Sequence, residues 1–164
     1  MSVTGLRVVA LTAAVWGLVV QAQGTASVSG DGRPLAQDFA QSSLTIETSA
    51  FACEHFAIFV AEQSAQQARG LMFVREMPDD VGMIFVYPQE RMLAMWMKNT
   101  LIPLDMLFTD SAGTIVHVAE NATPGSLATI SSQRSARAVL EINGGLAKRL
   151  GIRPGDRVRH TFFD

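Results

Sequence analysis

One stretch, Met95 to Asp110 (MWMKNTLIPLDMLFTD), constrains this chain more than any other. Trp96, Lys98, Asn99 and Asp105 stand there among methionines, leucines and a phenylalanine, with Pro103 between the two halves. Apolar and polar positions alternate on either side, which is the period of a half-buried strand. Proline cannot donate to a ladder, so Asn99 to Pro103 must break the extended run into two strands. A cation, an amide and a carboxylate in core-like sequence are costly to bury unless they pair with one another or with a ligand. The stretch is therefore either an internal polar clamp or a binding site.

The flanking sequence extends this pattern. LTIET from Leu44 and HFAIFVA from His55 alternate as strands, and GMIFVYP from Gly82 is an apolar strand. Glu62 to Met72 is dense in Gln and Ala and predicts a short helix ended by Gly70, with Ser64 or Glu62 near its N-cap. PQER at Pro88 to Arg91 predicts a turn, followed by a separate strand over RMLAMWMK. LDMLFTD, the hairpin turn DSAG, and TIVHVAEN come next. TPGSLATISSQRSA reads as polar loop with a short strand candidate at Leu127 to Ile130, AVLEIN as a strand, GGLAKRLG as a second short helix and RVRHTFF as the last strand. About eight short strands and two small helices predict a mostly-β single domain, a β-sandwich or jelly-roll-like barrel.

At 164 residues the chain suits one domain, and 48% hydrophobic residues supply its core. A formal net charge of −2 and no Lys/Arg run exclude the electrostatic footprint of a nucleic-acid binder. Arg7 precedes a thirteen-residue apolar run, Val8 to Val20, which is shorter than the roughly 20 residues of a membrane span. With Val20 and Ala22 in the small-residue positions of a cleavage site, residues 1–22 read as a signal peptide. The chain is thus expected to be exported, periplasmic or extracellular, without stable membrane insertion after cleavage. Residues 23–43, rich in Gly, Ser, Ala and Gln, read as a flexible leader, and 44–164 as the domain. The lone Cys53 excludes an intramolecular disulfide.

Three segments carry a resemblance: RGLMFVREMPDDVGMIFVY, WMKNTLIPLDMLFTDSAGTIVHV and AVLEINGGLAKRLGIRPGDRV. They are similar to the DUF192 family, also called UPF0127, over roughly Phe56 to Phe162. The resemblance implies a compact, predominantly β fold of the jelly-roll kind, often exported in bacteria. It implies no catalytic residue.

Site candidates come from the residues themselves. Lys98 and Asp105 are placed to meet across the Asn99–Pro103 bend, as a clamp holding the crossover in register. The same Lys98 and Asn99 suit an anion or carbonyl oxygen, and Trp96 and Thr100 join them as binding candidates. Glu141, a second carboxylate in an apolar strand, could form an acid/base pair with Asp105 in a small envelope hydrolase or transferase. Ion-pair networks also collect buried charges, which favours a clamp or a binding domain over an enzyme. Trp96 and Tyr87 could stack on a ligand, although burial in the core is the simpler expectation for Trp96. Met72, Met83, Met95 and Met97 are the thioethers a Cu(I) site would draw on, but their spacing lacks the repetition of a dedicated copper stretch. No metal and no cofactor is expected, and the partner is a small molecule or envelope component of unspecified kind.

Overall fold

The computed structural model describes residues 33–163. Seven strands form one sheet: β1 (Ala40–Glu47), β2 (Cys53–Ala61), β3 (Val81–Met95), β4 (Leu104–Thr109), β5 (Ile115–Ala122), β6 (Ile130–Asn143) and β7 (Arg157–Arg159). Their order is β5-β4-β6-β3-β2-β1-β7. All pairs are antiparallel except β2 with β3, which are parallel and joined through helix α1 (Ser64–Arg69). A parallel pair needs such a crossover, because a tight hairpin can only reverse the chain. A bridge between Thr114 and Arg157 brings the two edges of the sheet together, so it curls towards a barrel rather than splitting into two stacked sheets. The mostly-β class with two short helices, the second being α2 (Leu146–Leu150), holds as read from the sequence.

Side chains alternate across each strand, and both faces of the curled sheet are covered. Met83, Phe85, Met97, Leu104, Met106, Phe108 and Val139 belong to one core cluster. Ile58, Ile84, Leu107, Leu140, Ile142 and the α2 residues Leu146 and Ala147 belong to the other. Strand β4 lies between them, and all six of its residues are buried. That double burial gives the parity of a polar residue on β4 or β6 unusual weight, since it decides which core the residue enters.

Several boundaries differ from the sequence reading. Residues 1–32, where the sequence predicts a signal peptide and most of a leader, lie outside the described residues. The end of the leader belongs to the fold: Leu35 and Phe39 are buried in the first cluster and β1 begins at Ala40. The polarity of residues 23–43 concealed two apolar anchors. The turn expected at Pro88 to Arg91 is part of a single strand β3, whose pairing with β6 shifts register between Val86 and Arg91. A bulge there accommodates Pro88 without a ladder donor. Likewise SSQRSA is not a loop but the first half of β6, a polar extension paired with the outer half of β3. The α1 N-cap is Gln63 rather than Ser64 or Glu62, with Gln66 returning a bond from its side chain to the Gln63 N–H at 3.0 Å. Cys53 is exposed.

Candidate functional site

The two carboxylates singled out in the sequence lie on neighbouring strands and point to opposite faces. In the β4–β6 register Asp105 pairs with Ile142 and Met106 pairs with Glu141. Residues directly opposite share a face, so Asp105 lies with the α2-side cluster and Glu141 with Met83 and Met106. The expected Asp105–Glu141 acid/base pair does not form. The single-residue offset between the two positions puts the whole sheet between them.

Asp105 is fully buried, and its carboxylate is occupied by backbone. Oδ1 accepts from the Asn121 N–H at 2.6 Å and the Gly145 N–H at 2.9 Å, and Oδ2 accepts from the Ala147 N–H at 2.8 Å. One side chain thereby ties the end of β5 and the first turn of α2 to β4. Charge-assisted bonds of this kind satisfy donors that a helix start would otherwise leave orphaned. The close approach needs Gly144, whose N–H donates to the Pro103 carbonyl at 2.9 Å and where a Cβ would come within 2.6 Å of Asn121 Oδ1. Asp105 is thus a clamp, but not one made with Lys98: no carboxylate among the described residues lies within ion-pair distance of that ammonium. The bend at Asn99–Pro103 is braced by backbone contacts instead.

Glu141 is the opposite case. It is 4% exposed, and no hydrogen bond from the described residues reaches its carboxyl. The carboxyl lies at the base of a pocket of about 100 Å³. Burial alone pushes its pKa up to about 8, so the group is protonated at neutral pH. The end of α1 and the following turn supply one wall through Arg69, Leu71 and Met72, and β3 supplies Phe85, Tyr87 and Met95. The exposed Trp96 and Lys98 form the mouth, and the buried Thr100 completes the lining. Burial also pushes the Tyr87 hydroxyl up, keeping it neutral, and that hydroxyl donates weakly to the Met95 sulfur at 3.8 Å.

The mouth is shaped by two residues in the left-handed region, Phe73 at φ +64° and Asn99 at φ +57°. The Phe73 N–H donates to the Asn99 carbonyl at 2.9 Å, so the turn after α1 is tied to the Lys98–Thr100 turn. Asparagine adopts that conformation readily, whereas the bulky Phe73 does so only where its surroundings hold it. Trp96 is 51% exposed and is not the core tryptophan expected for it; the Lys98 ammonium sits 5.4 Å from its ring centroid. Strand β3 ends at Met95, which frees the next residues from the sheet and lets Trp96 reach the surface while Met97 is buried.

Among the sequence candidates, Trp96, Lys98, Thr100 and Glu141 therefore converge on one pocket. Asn99 lines an adjoining surface depression with Leu101, Pro124 and Leu127, and Asp105 lies on the other face. Of the thioethers, Met72 and Met95 reach the pocket whereas Met83 and Met97 are buried core residues, so the four do not form one ligand set. Among the described residues no His/Cys/Asp/Glu group is arranged to hold a metal ion, and no helix is long and apolar enough to cross a membrane. The contribution of α1 went unread in the sequence; the only signal was the glycine at position 70, which turns the chain back over Phe85.

A family model named DUF192 and described as "Uncharacterized ACR" matches residues 45–160. The chain belongs to the DUF192 family. Among solved structures, this DUF192 domain is similar to a protein from Sinorhizobium meliloti 1021, provisionally described as a transcription regulator. The identity is 41%, the TM-score 0.74, and the match covers 76% of this chain and 96% of the other. It is also similar to a protein of unknown function from Novosphingobium aromaticivorans DSM 12444, at 41% identity and a TM-score of 0.71, covering 73% and 85% of the two chains. No curated protein matches. The DUF192 match spans α1, β3, the Lys98–Thr100 turn and β6, so every pocket-lining element falls within it.

Proposed function

We propose that this DUF192 protein is an exported domain that binds a small molecule of the cell envelope in the pocket above Glu141. The observation that carries the reading is the Glu141 carboxyl itself: buried, unbonded by the described residues, and open to a pocket. A buried polar group left without a partner costs about 1–3 kcal/mol, and a ligand that satisfies it recovers that cost. The exposed Trp96 at the mouth offers a stacking surface, and Thr100 a hydroxyl. The hydrolase or transferase alternative loses its second carboxylate, because Asp105 lies across the sheet.

The domain is tested by a thermal-shift screen of small sugars, peptides, organic acids and amines. A ligand that binds the folded state raises the melting temperature by mass action. At least one compound should do so in the native protein and fail to do so in Trp96→Ala, whose exposed position leaves the fold intact. Equal shifts in both proteins would place binding elsewhere and contradict the reading. Export is tested separately by intact mass: the secreted form should lack residues 1–22, and their retention would contradict cleavage.

A further inference from the structure

Resting on that pocket, we propose that its ligand class is a small organic carboxylate, held by the Lys98 ammonium at the mouth and hydrogen-bonded by the Glu141 carboxyl on the floor. The inference comes from a charge inventory of the groups that share the pocket. From β6 there is Glu141, neutral while protonated; from β3 there is Tyr87, also neutral, with the Arg91 guanidinium 5.2 Å from its ring centroid adding positive charge outside the lining. From α1 there is Arg69, whose guanidinium is ion-paired with Asp38 and stacked on Phe39. That leaves Lys98, which faces no carboxylate among the described residues and is held over Trp96 rather than neutralised. The pocket therefore carries a net positive charge at neutral pH.

An organic cation would have to enter beside Lys98 and ionise Glu141 in a desolvated site, incurring both the repulsion and the burial cost. An anion meets the reverse. It gains the Lys98 charge, and a protonated carboxyl is a good donor to a carboxylate oxygen. The apolar walls, Leu71, Phe85 and Met95, suit a short aliphatic tail. Those apolar walls favour an organic carboxylate over inorganic phosphate, which would bury oxygens against them without partners.

Binding is read from the fluorescence of Trp96 in the full chain carrying Trp16→Phe, which leaves Trp96 the sole tryptophan. The probes are propionate, propionamide, ethylammonium and inorganic phosphate. Propionate should bind most tightly, with an affinity flat from about pH 6, where the probe is ionised, to about pH 8 and falling about tenfold per pH unit above it as Glu141 loses its proton. Lys98→Met should weaken propionate at least tenfold. Glu141→Gln, which keeps a neutral donor, should bind propionate with the alkaline fall abolished. Tighter binding of ethylammonium, strengthening as pH rises, would overturn the anionic class while leaving the pocket reading in place. Equal binding of propionamide would remove the role given to charge, and preference for phosphate would remove the carboxylate. Failure of every probe to perturb Trp96 would overturn the carboxylate proposal, whereas the wider screen of sugars, peptides and amines decides the pocket reading independently.

Discussion

Asp105 and Glu141 are both buried carboxylates on adjacent strands, yet the structure treats them in opposite ways. Asp105 receives three backbone N–H groups and faces the α2-side core. Glu141 receives none from the described residues and faces a pocket. A carboxylate surrounded by donors holds loops in place and has no capacity left for a ligand. A carboxyl buried without partners does nothing for the fold and retains all of its bonding capacity. The comparison shows that burial of a charged residue is not by itself a functional signal; what matters is whether the protein has already satisfied it.

The largest way to break this contrast is Asp105→Ala. Three backbone donors would be orphaned at about 1–3 kcal/mol each, so chemical denaturation should show a severe loss of stability or no folded protein. A loss below about 1 kcal/mol would remove the clamp role. Next in size is the pH dependence that Glu141 imposes. Its folded pKa of about 8 lies above the ordinary 4.5, so the native state holds a proton that the unfolded chain releases. Stability from this group is fully present below pH 4.5 and is lost as pH rises through 8, at about 1.4 kcal/mol per pH unit within that window. Denaturation midpoints of Glu141→Gln should therefore rise relative to the native protein between those pH values. Parallel curves would contradict a buried, protonated carboxyl.

A smaller effect sharpens the Asp105 side. Gly144→Ala would put a methyl 2.6 Å from Asn121 Oδ1 and 2.8 Å from Pro103 Cβ, and overpacking of this kind costs about 1–3 kcal/mol. Melting temperature should fall without change in ligand response. The smallest is Lys98→Met, a surface substitution expected to move stability by no more than about 0.5 kcal/mol. On the pocket side of the contrast it should alter binding alone.

Much of the fold was legible because strand alternation is a local signal. The first half of β2 follows it, β4 and the inner halves of β3 and β6 read instead as apolar segments buried on both faces, and both helices stand where Gln/Ala-rich and Gly-bounded segments indicated. The outer halves of β3 and β6 escaped notice because they pair with each other beyond the core, where polar residues such as Ser131 and Gln133 carry no apolar period. Lys98, Trp96, Thr100 and Glu141 were all visible as polar or aromatic residues in apolar company. Their relation to Asp105 was not, since a shift of one residue in register reverses the face and register is set by partner strands distant in sequence. The pairing of Lys98 with Asp105 failed for the same reason: proximity across a bend depends on where each strand ends, and β3 ends at Met95.

The contrast between the two carboxylates is tested most directly by following the Glu141 side-chain carboxyl carbon by NMR across a pH titration. A midpoint near 8 is predicted, with the carboxyl still protonated at neutral pH. A midpoint in the ordinary range near 4.5 would show a solvated or satisfied group and contradict the account.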